Sequence, residues 1–409
     1  MRSKKTLKTI AMVCIFAILS SGAMIKNVYA DENGNWTKDR IWGSDRFETA
    51  NKIADEFCKT NTELGLKPDW QGNYVYVDTA TNPVDTIILT NGFDFPDALC
   101  STPLSKTLNA PVLLSHADNL TDSTKKQIEK MKIKNVTIVG GEAAISENVE
   151  NQLKSMGMNI NRIGGKDRYD TSYLIAKKIS EEGKMKGVTA VSGMVWQDAM
   201  ISSSAATIKD FPMLLVPASD NEILPKYKVL LEQNKLTITN SDLYGDYKNI
   251  KSNILMTMIP NNLNVDKKDE GILYHTLEAG LENKYVNCFS ILNHAYTRAL
   301  PYQANANIFL TRGDDFADSL TVVPLAAKKA SPIIFGTPVH KGWNKWDEFV
   351  EDSKLDTIRL NYQITPEDDE TFCNKVVNKI KNTMDNVTLV GGENAIPTNA
   401  DDIFKNIWK

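Results

Sequence analysis

The stretch "GFDFPDAL", residues 92–99, places two carboxylates, Asp94 and Asp97, three positions apart. Such a pair at a strand-to-helix turn can divide acid and base work, one member keeping a proton while the other accepts one. Recurrence tests whether the pair belongs together. Residues 193–200 read "GMVWQDAM" and residues 313–320 read "GDDFADSL". The shared pattern is Gly-x-x-(Phe/Trp)-x-Asp-(Ala/Ser)-(Leu/Met). Asp97, Asp198 and Asp318 belong to it. Asp94 and Asp315 do not, because Val195 stands in their place in the middle copy. The three shared aspartates fall in the first turn of predicted helices, where a carboxylate caps free N–H groups and opposes the helix dipole. They are read as structural helix-start residues, with the aromatic two positions earlier packed over the sheet end.

Other chemistries find little support. No Gly-x-Ser-x-Gly, Ser-His-Asp or Cys-His signature is discernible. The four histidines, His116, His275, His294 and His340, show no metal-ligand spacing. "VGGE" occurs at 139–142 and 390–393. It lacks the third glycine of a dinucleotide fingerprint and reads as a tight strand-to-helix turn, whose N–H groups remain open to an anion. Arg46 and Arg168 hold one place in "SDRFET" and "KDRYDT", each directly after an aspartate, Asp45 or Asp167. A structural salt bridge and a contact to an anionic ligand are both open readings. No catalytic residues, no metal and no cofactor are expected.

The elements that carry these residues repeat as well. Fourteen residues separate Asp97 from Pro111, Asp198 from Pro212 and Asp318 from Pro332, each proline opening an apolar run ("PVLL", "PMLL", "PIIF"). "RIWGSDRFETANKIADEF" from Arg40 matches "RIGGKDRYDTSYLIAKKI" from Arg162, and "NVTIVGGEAAIS" matches "NVTLVGGENAIP". The middle unit keeps only "LTITNSDLYG", and the third has lost the Arg-rich opening, with "CFSILNHAYTRAL" from Cys288 in its place. Uneven spacing exposes insertions within 59–85 and 338–385, lengths that usually form surface loops or small added elements. In the first unit "DTIILT", "APVLLS" and "NVTIVG" are short apolar runs separated by helical segments. Continuous rather than alternating apolar strands predict parallel sheets covered by helices: an α/β fold of three tandem modules packed on one another. The predicted divisions are 31–160, 161–260 and 261–409.

Residues 1–30 carry a basic start, an apolar run of about a dozen residues and "VYA", the pattern of a secretory signal peptide. The run is shorter than the roughly 20 residues that span a bilayer. Cys14 lies inside it. The segment holds five of the 47 basic residues and no acidic one, which leaves 42 basic against 51 acidic residues and a net charge of −9. An acidic chain is a poor partner for nucleic acid, and no later segment is apolar enough to cross a membrane. Cys58, Cys100, Cys288 and Cys373 are scattered and read mostly as small core residues, one disulfide remaining possible.

These blocks closely resemble the clostridial cell-wall-binding repeat 2 family. The resemblance rests on "GSDRFETANKIA", "GKDRYDTSYLIA", "GFDFPDALCSTPLSKTLNAPVLLS", "GDDFADSLTVVPLAAKKASPIIF", "VTIVGGEAAIS" and "VTLVGGENAIP". It implies three Rossmann-like modules packed as an intramolecular trimer, on a secreted protein held at the cell wall by non-covalent binding of an anionic wall polymer. The segments tied to that role map to Pro111, Val112, Leu113 and Leu114, to Gly140 and Gly141, and to Gly391 and Gly392. Surface-layer proteins are possible further partners. Family members often carry a separate catalytic domain, for which this chain leaves no room. A wall sugar- or phosphate-processing enzyme and an adhesin using the insertions are the alternatives.

Overall fold

A computed structural model describes residues 37–59, 62–68, 74–80, 84–217, 224–236, 241–244, 306–329, 331–336, 384–396, 398 and 400. The first described elements are β1 (Thr37–Ile41) and α1 (Arg46–Lys59), then a hairpin of β2 (Thr62–Pro68) and β3 (Tyr74–Ala80). Next come β4 (Thr86–Asn91), the short α2 (Pro96–Leu99), α3 (Ser101–Leu108), β5 (Val112–Ser115), α4 (Asp122–Met131), β6 (Asn135–Val139), α5 (Glu147–Ser155) and β7 (Asn159–Ile163). The middle of the chain forms α6 (Arg168–Glu181), β8 (Val188–Ser192), α7 (Trp196–Ile208), β9 (Met213–Val216), α8 (Pro225–Gln233) and β10 (Ser241–Tyr244). Beyond it lie β11 (Ala306–Arg312), α9 (Ala317–Lys328), β12 (Ile333–Gly336) and β13 (Met384–Val390).

Three sheets follow, in the orders β5-β4-β6-β7, β9-β8-β10 and β12-β11-β13-β1, every pair parallel. The mixed α/β fold with parallel sheets is thus the one expected. Burial on both faces explains the unbroken apolar strands: Val188–Ser192 and Met213–Val216 are buried at every position. Local chemistry sets the helix ends. The Thr121 hydroxyl accepts from the Thr124 N–H at 3.1 Å to start α4, and Lys132, at φ 56°, ends it in the left-handed region.

The last strand in two of these sheets is borrowed from the start of another unit. β7 opens the second sequence unit but pairs with β6 of the first, and the helix after it, α6, packs on β9 of the second sheet. In the same way β1 pairs with β13 of the third unit, while α1 packs on β5 of the first. The earliest described strand therefore completes the sheet of the last unit.

The units meet through the helices that follow the repeated aspartates. α3, α7 and α9 each pack on the other two. Every residue of α7 from Asp198 to Ile208 is buried. Small residues let the helices approach closely, and buried hydroxyls are satisfied by their own helix. Ser202 donates to the Asp198 carbonyl at 2.8 Å, Ser203 to Met200 at 2.6 Å and Thr207 to Ser203 at 2.7 Å. Ser204 instead donates across to the Ser331 carbonyl of the third unit at 2.9 Å. The aromatics expected to cover separate sheet ends meet one another instead: Phe316 makes edge contacts with Phe95, centroids 5.7 Å apart, and with Trp196 at 6.4 Å.

The insertion at 59–85 contains the β2–β3 hairpin. That at 338–385 lies outside the described residues except for the start of β13, as do the degenerate opening at Cys288, Cys373 and the signal segment. Cys58 is half-buried and Cys100 buried, neither in a disulfide; burial pushes the Cys100 thiol well up, so it behaves as a core residue. Among the described residues no helix is long and apolar enough to cross a membrane.

Removal of residues 31–41 bares the edge of β13, a template for pairing with another chain. The truncated protein is expected to melt at a lower temperature and to self-associate as its concentration rises. A scattering profile and Tm equal to those of the full chain would show that β1 contributes nothing.

Candidate functional site

At the carboxyl ends of β1, β11 and β13 the chain encloses a cavity of about 550 Å³. Strand carboxyl ends are the usual ligand position in parallel α/β sheets. One wall is the segment from Arg40 to Arg46. The other holds Arg312, Asp315, Asp318 and the turn Gly392–Ala395.

Arg40 fixes the turn. Its Nη1 donates to the carbonyl oxygens of Gly391 (2.7 Å) and Ile396 (2.8 Å), and its Nη2 meets Glu393 at 2.7 Å. The Gly391 N–H donates to the Ile41 carbonyl at 2.9 Å. The junction between the first and second units repeats this arrangement. Arg162 donates to the carbonyls of Gly140 (3.0 Å) and Ile145 (2.9 Å) and pairs with Glu150 at 2.9 Å, while the Gly140 N–H donates to Ile163 at 2.9 Å. Arg40 and Arg162 head the two matching sequence blocks, so their position was visible as a repeat, although their role as carbonyl clamps was not. The two glycines adopt φ 116° and 122°, which side chains avoid.

Arg46 and Arg168 occupy equivalent positions, but not in salt bridges with the aspartates beside them. Asp45 and Asp167 cap the helices, accepting from the N–H groups of Glu48 (2.8 Å) and Asp170 (2.7 Å). The arginines reach the next strand end instead: Arg46 donates to the Gly92 carbonyl at 2.6 Å and Arg168 to Gly193 at 2.7 Å. Arg46 also meets Asp315 of the third unit at 3.3 Å and lies over the Phe93 ring, 4.5 Å from its centroid.

Asp97, Asp198 and Asp318 stand in the first turns of their helices. Capping falls to another carboxylate at α9, where Asp315 accepts from the Ala317 N–H at 3.2 Å. Asp97 has one buried oxygen without a partner, and Thr171 of the second unit hydrogen-bonds its side chain. Burial raises its pKa, Asp94 adds to the rise, and Thr171 and Arg168 oppose it. Asp318 faces Asp315, Arg312 and Arg46 beneath Gly391; burial, then Asp315, pushes it up to about 6 against the two arginines.

Pro111, Val112, Leu113 and Leu114 are buried, the last three on β5. Gly392 lines the cavity, Gly391 lies against Asp318 beside it, and Gly140 and Gly141 stand at the equivalent turn. Trp42, Arg312 and Glu393 line the cavity without having been singled out in the sequence. No cluster that could hold a metal occurs among the described residues.

Parallel α/β units thus place a mixed-charge cavity at their strand ends, where such folds hold ligands. Residues 40–150, 162–255 and 282–401 match the cell wall binding domain 2 (CWB2) family. The chain belongs to that family, whose domain is a binding domain rather than a catalytic one. It is 32% identical over 299 residues to the amidase enhancer of Bacillus subtilis (strain 168), covering 73% of this chain and 34% of that protein. It is 31% identical over 175 residues to the N-acetylmuramoyl-L-alanine amidase LytC of the same strain, covering 43% of this chain and 30% of that one. The chain thus spans about a third of the length of these relatives. Its fold is similar to those of Cwp6 (TM-score 0.67, 91% of this chain and 48% of that one) and Cwp8 (0.60, 92% and 53%) from Clostridium difficile, each at 20% identity.

Two substitutions test the site. Asp318 binds a proton more tightly folded than unfolded, so stability contributed by its protonation is present at acid pH and falls as pH rises from about 4 through about 6. Asp318→Asn should flatten that decline and stabilise the protein at pH 7 by on the order of 1–3 kcal/mol, read from Tm against pH. Gly391→Ala sets a methyl 2.8 Å from the Asp318 Oδ2 at φ 116°. It should cost roughly 1–3 kcal/mol, and an unchanged denaturation midpoint would contradict this geometry.

Proposed function

We propose that the protein is exported and held on the cell surface by non-covalent binding of an anionic wall polymer through its repeated units. The observation that carries this reading is the family match over three successive stretches of the chain. Supporting it, two junctions carry the same arginine-clamped glycine turn at a strand end, which offers a polymer repeated points of contact. Linked sites gain avidity without any single one being strong.

The net charge of −9 after residue 30 sets a constraint. A chain of that charge repels a polyanion at long range, so attraction must be local: turn N–H groups, Arg46 and Arg168, or a divalent cation between like charges. Gly140, Gly141, Gly391 and Gly392 position such turns. Pro111, Val112, Leu113 and Leu114 contribute by holding β5 in the sheet. An amphipathic surface or nucleic-acid partner has no support in this charge pattern.

Sedimentation with purified cell walls tests the proposal. The protein should pellet with intact walls and stay in the supernatant once the anionic polymer is chemically removed. Equal retention on both preparations would defeat it.

A further inference from the structure

Two carboxylates lie at the junctions between units without a cation of their own. Asp318 stands in the first turn of α9, against Gly391 of the turn after β13. The charged groups facing it are Asp315 and Arg312 of its own unit and Arg46 of α1; Arg40, Asp45 and Glu393 complete the charged lining. All of these have other partners. Arg46 donates to the Gly92 carbonyl and meets Asp315, Arg312 holds Asp314 at 2.7 and 2.9 Å, and Arg40 holds two carbonyls and Glu393. Asp45 accepts from the Glu48 N–H, and Asp315 from the Ala317 N–H. Among the described residues no hydrogen bond reaches the Asp318 carboxylate.

The junction between the first and second units repeats this arrangement. Asp97 lies against Gly140 and faces Asp94 of its own unit, with Asp167 and Arg168 of the second unit opposite. Arg168 donates to the Gly193 carbonyl, Asp167 caps α6, and burial keeps the neighbouring Cys100 thiol neutral. Thr171 hydrogen-bonds the Asp97 side chain, and one of its oxygens is buried without a partner. A carboxylate withdrawn from water, beside a second carboxylate and short of a counter-ion, takes up a proton readily. Burial and then Asp315 push Asp318 up to about 6, and burial raises Asp97 in the same direction. In the middle unit Val195 replaces the second carboxylate, so the pairing belongs to the two junctions whose glycine turns are clamped by arginine.

We infer that these two junctions make wall anchoring proton-regulated: a proton taken from solvent by Asp318 and by Asp97 removes negative charge beneath the strand-end turns, so an anionic polymer is held more tightly in mildly acidic than in mildly alkaline surroundings. This regulation rests on the anchoring reading above and leaves its ligand unchanged. By reciprocity, binding of the polyanion draws protons onto the same two groups. Each carboxyl then holds its proton more tightly in the complex than in the free protein. The gain in affinity is therefore complete below the pKa of the free protein and is lost as pH rises through that of the complex.

Retention on purified intact cell walls, followed against protein concentration at about pH 5.5 and about pH 8, tests the regulation. The half-saturating concentration should be about threefold lower, or more, at the acid pH. The double variant Asp97→Asn, Asp318→Asn should bind at both pH values as the unaltered protein does in acid. Asp122→Asn, which alters a side chain 89% exposed on α4, should keep the full pH dependence. Calorimetric titration of the unaltered protein with size-fractionated wall polymer, in two buffers of different ionisation enthalpy, should show proton uptake that the double variant lacks. Retention independent of pH, a pH dependence of equal size in the double variant, or the absence of proton uptake overturns the regulation while leaving anchoring standing. No retention on intact walls at either pH removes both.

Discussion

The mutual packing of α3, α7 and α9 is the constraint on which the remaining structure depends. α7 and α9 are buried nearly all round and α3 through its first five residues, burial that an isolated unit could not provide. Alanine, serine and threonine reduce the separation between axes, and hydroxyl groups bonded back to their own helices remove the cost of buried polar atoms. With the helices fixed, the sheets must lie outside them, and the edge contacts of Phe316 with Phe95 and Trp196 close one end of the shared core. A unit can then tolerate erosion of its own motifs, because its central helix is held by two others.

The second level of organisation is the arginine at the head of a unit. Arg40 and Arg162 each sit on a strand lent to another sheet and satisfy carbonyl groups of a turn that a glycine at positive φ has directed outward. A guanidinium is suited to this because its fan of donors can serve two carbonyls and a carboxylate together. The same bonds join neighbouring units and shape the strand-end turn, so the geometry of the cavity follows from how the units are connected.

Much of the architecture was legible in the spacing. The fourteen residues from each repeated aspartate to the next proline correspond to the helical segment and the turn between two strands of the same sheet. The insertion before residue 86 was visible as excess length and contains a hairpin. What was not legible depends on neighbours distant in sequence. Asp97 and Asp318 look like caps within their own helices, yet they face Thr171 of the second unit and Arg46 of the first. Adjacency suggests a pair of Arg46 with Asp45, whereas a cap claims that aspartate and Arg46 turns to Asp315. Val112–Leu114 drew attention as a repeated motif because a buried strand recurs in every unit, and repetition does not distinguish scaffold from contact surface.

The pairing of β1 with β13 has a kinetic side. Arg40 and Gly391 are 351 positions apart, and their bond forms only when nearly the whole chain is available. A chain emerging from its amino end presents its first strand with no partner, while the first and second units can already assemble from nearer contacts. Contacts of such long sequence separation are slow to form and keep partly folded intermediates alive. The wall lined by Arg40 and Trp42 therefore depends on one of the longest-range contacts in the described fold, the kind that forms late.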